Sequence, residues 1–334
     1  MARKPRVLLT HGETARRNYY GATALEALHA IADVRLNPGD TPLLADTLVE
    51  AAQGCDVIIS DRQAAAPAAL FAALPDLLVF ERCAVDVRNV DVAAASAAGV
   101  LVTHASAGFA NAVAEWVIGA MIDLGRDLSA SVHAHRTGSQ PPVRMGRELR
   151  GATLGVIGYG VIGQRLGEIA VALGMRVLVA DPFARIRDAA ITLLPLELLL
   201  AQSDHVVCLA PANPQTENLM DARRFAAMKP GAFFINASRG ELVDEAALLQ
   251  ALDSGHLAGS AMDVGRAPDQ MPSPVLARHP RVIATPHIAG LTPEAVEHQS
   301  RETVAQLGEL LAGRIPVGAL NAAQAVRLHR LTGA

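Results

Sequence analysis

Short apolar runs alternate with longer amphipathic ones along the chain. Val7–Thr10, Asp56–Ser60, Leu77–Phe80 and Val100–Thr103 have strand length, and Ala22–Ala32 and Ala68–Leu74 read as helices between them. A second series begins at Thr153–Gly158 and continues through Arg176–Ala180, His205–Leu209, Ala232–Asn236, Gly259–Val264 and Arg281–Thr285. Strands separated by helices of this length predict βαβ units and parallel sheets, hence two open α/β domains. Helix ends are marked. Val161–Leu173 is followed by Gly174 and Asp244–Ser254 by Gly255, residues suited to left-handed termini. The last long helix opens on Thr292-Pro293-Glu294: an N-cap, a first-turn proline and an acid near the positive end. Val304, Leu307 and Leu311 share one of its faces. No Gly/Ser or Pro-rich spacer divides the halves, and Arg136–Pro142 is the most loop-like stretch.

Composition narrows the function classes. A chain of 334 residues allows two domains, and 51% hydrophobic with 19% charged residues excludes a disordered or fibrous chain. The formal charge of −4 and the lack of basic runs argue against a nucleic-acid partner, and 3% aromatics argue against base-stacking platforms. Cys55, Cys83 and Cys208 lie far apart, which fits no disulfide framework and no structural metal site and suits a reducing, cytoplasmic setting. The N-terminal basic residues precede too short an apolar run for a signal-peptide core. Val92–Ala114 lacks charged side chains for 23 residues, but its Ser, Gly, Thr, His and Asn predict helix, strand and loop rather than a membrane span.

Gly158-Tyr-Gly160-Val161-Ile162-Gly163 follows a strand and opens a helix. The first glycine permits the tight turn. The second lets the backbone approach a pyrophosphate, and the third lets helix pack on strand. The phosphates would meet free N–H groups at a helix N-terminus. Asp181 follows the next strand, 18 residues beyond Gly163, and an acid there binds ribose hydroxyls and repels a 2′-phosphate. The combination predicts NAD rather than NADP, softened by nearby Arg185 and Arg187.

Two residues stand just past later strands. Arg239, in Asn236-Ala237-Ser238-Arg239-Gly240, could hold a carboxylate in a two-point fork and polarise an adjacent carbonyl, or form a surface ion pair. His287, in Thr285-Pro-His287-Ile-Ala-Gly290, is suited to acid/base work on a carbonyl–alcohol pair near neutral pH. It is one of eleven histidines, and a structural role is the alternative.

With these residues assembled, the sequence resembles the D-isomer-specific 2-hydroxyacid dehydrogenase family. The resemblance runs from about Cys55 onward and is strongest between Leu149 and Gly290, through Leu154–Gly163, Met228–Gly240, Leu242–Gly259, Met262-Asp263-Val264 and Thr285–Gly290. It implies a Rossmann NAD-binding domain, residues 107–290, inserted into a flavodoxin-like substrate domain, residues 1–106 and 291–334. It also implies a site in the cleft between them and a homodimer, with no membrane partner. Carried over, Arg239 matches the substrate-binding arginine and His287 the proton donor. Asp263 matches the acid beside the nicotinamide carboxamide, and Pro211, Thr216 and Ala237 lie in the stretches flanking the cofactor. The implied substrate is a D-2-hydroxy acid and its 2-oxo acid.

The sequence departs from the family in two places. A Glu usually follows Asp263 by five residues and pairs with the histidine, but position 268 is proline. Asp269 is the candidate replacement, Gln270 a second, since formate dehydrogenases of this superfamily use Gln. Without a carboxylate partner His287 would have a lower pKa. In the substrate loop a Gly-containing turn near Val85 normally offers N–H groups to the substrate carboxylate. Here Asp86 stands where Gly is expected and Arg88 where Asp is expected. Asp86 would repel a carboxylate unless it points away or pairs with Arg88 or Arg82. The loop then either marks a cationic or hydroxyl-rich substrate tail or is merely reoriented. Leu209 replaces a family histidine. Two alternatives stay open: an NAD-sensing regulatory protein on this fold, and a formate- or phosphite-type dehydrogenase.

Overall fold

The computed structural model describes residues 3–332; the side chains of Ala45, Asp269 and Thr332 lie outside that description. It divides into two compact units, one running through Gly108 and resuming at Thr292, the other spanning Phe109–Leu291.

In the first unit, β1 (Arg6–Leu9), β2 (Asp33–Leu36), β3 (Val57–Ser60), β4 (Val79–Arg82) and β5 (Leu101–His104) form a parallel sheet in the order β2-β1-β3-β4-β5. This is the flavodoxin-like order. Alternate residues serve opposite layers. Val7, Leu9, Val57, Ile59, Val79 and Leu101 pack with Leu28, Leu307 and Leu310 of helices Ala22–Ile31 and Pro293–Leu311. Leu8, Ile58, Phe80 and Val102 pack with Leu48, Leu70 and Phe71 on the other side. Burial on both faces is why β1 and β3 read as nearly unbroken apolar runs.

In the second unit the strands are β6 (Thr153–Ile157), β7 (Arg176–Ala180), β8 (Ile191–Leu193), β9 (His205–Cys208), β10 (Ala232–Asn236), β11 (Leu257–Met262) and β12 (Val282–Ala284). All pair in parallel, in the order β12-β11-β10-β9-β6-β7-β8. Counted from β6 this is 3-2-1-4-5-6 with a seventh strand added, a Rossmann sheet. One layer joins Leu154, Val156, Val177 and Val179 to Val117, Met121, Leu166 and Ala170. The other joins Leu178, Val206 and Phe234 to Leu199, Phe225, Leu248 and Leu252.

The differences from the sequence pattern have physical causes. Edge strands β2 and β8 escaped notice because an edge needs no continuous apolar run; β2 reads Asp-Val-Arg-Leu. The run expected at Leu77–Phe80 is displaced to Val79–Arg82, so that Glu81 and Arg82 lie inside the sheet, both buried. β11 begins at Leu257 and ends at Met262, leaving Asp263 free of the strand. Val92–Ala114 resolves into helix Val92–Ala98, β5, a loop and the start of helix Ala110–Arg126. Among the described residues no helix is long and apolar enough to cross a membrane.

The cap at Thr292 follows the sequence signal, and Asp244, read as the first residue of a helical run, is itself a cap. The Thr292 hydroxyl accepts from the Ala295 N–H at 3.2 Å, and the Asp244 carboxylate accepts from Ala246 and Ala247. The seams fall at Gly108/Phe109 and Leu291/Thr292, against 106/107 and 290/291 in the sequence reading. Ser106 remains fastened to the last helix: its N–H and hydroxyl both donate to Glu302 at 2.7 Å, and the hydroxyl meets His298 Nε2 at 2.9 Å.

Candidate functional site

The glycine fingerprint is a matter of backbone geometry. Gly158 has φ +91°, a left-handed conformation, and a Cβ there would lie 2.6 Å from the Ala210 nitrogen. A Cβ at Gly163 would lie 2.5 Å from the Gly158 carbonyl oxygen, whereas at Gly160 nothing stands within 4 Å. The first and third glycines are thus compelled by packing, and the second leaves an open approach. Helix Val161–Ala172 starts at Gly160 without a side-chain cap, so the amides of Val161, Ile162 and Gly163 face that approach uncapped. This cradle fits a pyrophosphate.

Asp181 follows β7 as expected. Its Oδ2 accepts from the Tyr159 N–H at 2.7 Å and its Oδ1 from Phe183 at 2.8 Å. The acid therefore also fastens the fingerprint loop, and each oxygen keeps a second lone pair for a ribose hydroxyl. The loop after β9 closes on itself. The Thr216 hydroxyl donates to the Pro211 carbonyl at 2.7 Å and accepts from Asn213 at 2.9 Å. Ala237 follows β10, its N–H directed to the Cys208 carbonyl at 3.4 Å.

Arg239, Asp263 and His287 stand beyond the carboxyl ends of neighbouring strands β10, β11 and β12, whose last residues Asn236, Met262 and Ala284 are in register. Open α/β sheets bind ligands at this edge. Arg239 is set by buried Asn236, whose amide donates to the Arg239 carbonyl at 2.9 Å, and its own Nη1 donates to the Ser238 carbonyl at 2.7 Å. His287 has φ +56°, which a non-glycine residue adopts only under constraint. The constraint is Asp263, 1% exposed. Its Oδ1 accepts from the Thr285 hydroxyl at 2.6 Å and the Ile288 N–H at 2.8 Å, and its Oδ2 accepts from Ala289 at 2.8 Å. Asp263 grips the loop on both sides of His287, a role the family match did not suggest.

The segment after Asp263 is pinned to the turn after Arg239. A Cβ at Gly240 would lie 2.1 Å from the Gly265 carbonyl carbon, so the two backbones cross where no side chain fits. Arg266 Nη2 donates to Glu217, to the Asn218 side chain and to the Glu241 carbonyl at 2.7–2.9 Å. Gln270 has φ +60°, and its amide donates to Glu241 Oε1 at 3.3 Å. The amide of this candidate histidine partner is thus engaged with Glu241. Asp269 lies in the turn Pro268–Gln270, and its side chain is outside the described residues. Sequence reasoning missed Arg266 and Glu241. Neither carries a local signal, since the partners described for them lie more than 20 residues away in sequence.

In the first unit, Val85, Asp86 and Arg88 occupy the loop after β4. Arg82 organises it. Its guanidinium donates to the carbonyls of Asp86 (3.1 Å), Ala64 (3.0 Å), Arg62 (2.7 Å) and Asp61, and to Asn89 Oδ1 (2.6 Å). Asp86 is paired with Arg88, Nη2 to Oδ2 at 2.9 Å. Cys83 is buried, and burial pushes its thiol up to about 12.

A nucleotide cradle and a ligand edge on a Rossmann sheet, in a chain that also carries a flavodoxin-like unit, define a two-unit dinucleotide-binding protein of the α/β class. The description "D-isomer specific 2-hydroxyacid dehydrogenase, NAD binding domain" matches residues 118–289, and the chain belongs to that family. It is 34% identical over 280 residues to the D-3-phosphoglycerate dehydrogenase of Mycobacterium tuberculosis, covering 83% of this chain and 53% of that protein. The chain thus spans about half the length of that relative. It is 37% identical over 250 residues to the (S)-sulfolactate dehydrogenase of Chromohalobacter salexigens, covering 73% of this chain and 81% of the relative. The TT0316 protein of Thermus thermophilus shares its fold with a TM-score of 0.84 at 29% identity, covering 94% of this chain and 99% of that one.

Proposed function

We propose that this protein interconverts a D-2-hydroxy acid and its 2-oxo acid, with NAD as the redox partner. The observation that carries the reading is the common edge beyond β10, β11 and β12, from which Arg239, Asp263 and His287 follow, in the unit that holds the fingerprint. The cofactor, held by Gly158–Gly163 and Asp181, supplies or accepts a hydride when bound.

Arg239 binds the substrate carboxylate and stabilises negative charge developing on the neighbouring oxygen. His287 gives a proton to that oxygen during reduction and takes it back during oxidation. Asp263 is a positioning residue that holds the His287 loop in its left-handed turn. Asp269 is the proposed carboxylate partner of His287, and Val85, Asp86 and Arg88 shape the substrate side of the first unit.

NADH oxidation over glyoxylate, pyruvate, hydroxypyruvate, phenylpyruvate and longer polar 2-oxo acids tests the reading, with NADPH run in parallel. Turnover with NADH that is lost in both Arg239→Ala and His287→Ala is expected. Tight NADH binding without turnover on any acid would instead favour a sensor, or a one-carbon or inorganic substrate.

A further inference from the structure

The loop after β4 carries a carboxylate on the substrate side proposed for the first unit, and the same loop neutralises it. Arg88 Nε lies 3.1 and 3.0 Å from the two Asp86 oxygens, and Nη2 lies 2.9 Å from Oδ2. The Arg88 N–H also donates to Oδ1 at 2.9 Å. This is a planar fork on a carboxylate, a geometry lysine cannot reproduce.

The backbone of the loop is tied down. Arg82 Nε holds the Asp86 carbonyl at 3.1 Å, and the same buried guanidinium holds residues 61, 62 and 64 of the neighbouring loop. The Asp86 backbone therefore stays in place whether or not its side-chain charge is compensated. Its side chain is 34% exposed and that of Arg88 is 54% exposed, so the pair adds little to folding. Its consequence is the charge of the loop. Val85, 37% exposed, is the apolar neighbour.

We propose that Arg88 is a specificity-determining residue that masks Asp86, so that a loop bearing a carboxylate accepts 2-oxo acids with neutral or anionic tails and does not select cationic ones. The proposal rests on the 2-oxo acid reading above. An unmasked carboxylate would repel an anion bound near the loop by about fivefold in affinity, the repulsion expected of two charges about 6 Å apart in a mostly aqueous gap.

The test compares wild type, Arg88→Ala, Asp86→Asn and the double variant on three 2-oxo acids of matched length, with a methyl, a carboxylate and an ammonium tail. The readouts are kcat/KM, the NADH Kd, and oxamate binding to NADH-loaded protein by calorimetry. In Arg88→Ala, kcat/KM is expected to fall about fivefold for the methyl tail, further for the carboxylate tail, and to rise for the ammonium tail, with the NADH Kd unchanged. The double variant should return toward wild type. Equal changes on all three tails, or a double variant as impaired as Arg88→Ala, would overturn the proposal. If wild type turns over none of the acids but oxamate binding weakens in Arg88→Ala and recovers in the double variant, the dehydrogenase reading fails and the masking stands. Oxamate bound equally by wild type and Arg88→Ala removes the masking alone. No oxamate binding to wild type removes both.

Discussion

The two units shape the carboxyl ends of their sheets by opposite means. In the second unit the fingerprint is built from missing side chains. Gly158 and Gly163 are required because backbone atoms lie within 2.6 Å of where a Cβ would stand, and Gly160 leaves an opening. In the first unit the corresponding edge is built from an added side chain, buried Arg82, which gathers two loops through their carbonyl groups. A cradle of amides requires a fixed glycine spacing, because the turn permits nothing else. A loop tied by one arginine can be tied at many sequence positions, so it carries no comparable signature.

The largest expected effect comes from filling the glycine cradle. Gly158→Ala places a Cβ against Ala210 at φ +91°, so NADH binding should be lost, with destabilisation of about 2 kcal/mol or more. Fluorescence titration and thermal melting would show it, and an unchanged NADH Kd would break the account of the second unit.

Arg82→Met tests the first unit in the same terms. It strands several carbonyls that the guanidinium now satisfies, and should cost about 3 kcal/mol. KM for the 2-oxo acid should rise while the NADH Kd stays near wild type, measured on the folded fraction at low temperature. Equal loss of both would mean that the two ends are not independent.

Asp263→Asn sharpens the comparison within the second unit. An amide can no longer accept from all three donors of the His287 loop. The expected outcome is a fall in kcat of about tenfold, with the pH profile of kcat altered and the fold intact.

The smallest effect concerns Glu81. It is fully buried in β4, and its oxygens have no hydrogen-bond partner among the described residues. Burial raises its pKa well above the usual carboxylate value of 4.5. The sign follows: the folded state keeps a proton that the unfolded chain releases. Its contribution to stability is thus fully present below pH 4.5 and is lost as the pH rises through the folded value. Glu81→Gln should melt higher than wild type at pH 8, and the difference should close toward pH 4. A constant difference across that range would contradict a buried protonated Glu81.

Much of this was legible beforehand. The spans of β7 and β10, the cap Thr292 and the glycine–acid spacing are local events, each decided by residues within a few positions. Edge strands β2 and β8 and the displaced β4 were not legible, because pairing rather than composition makes them strands. Asp86 looked at odds with an anionic substrate because its charge was visible in sequence and the fork from Arg88 was not.

By itself the sequence determined the α/β class, the family and the backbone cradle for a dinucleotide, since strand periodicity and obligatory glycines are written into local order. Tertiary structure alone decided that Asp263 grips the His287 loop, that Arg266 ties Arg239's turn to its neighbours, and that Arg82 fastens the loop beneath Asp86. These contacts join residues brought together by strand order, and their donors and acceptors are largely main-chain groups. Every residue type has main-chain groups, so such contacts leave no mark in sequence.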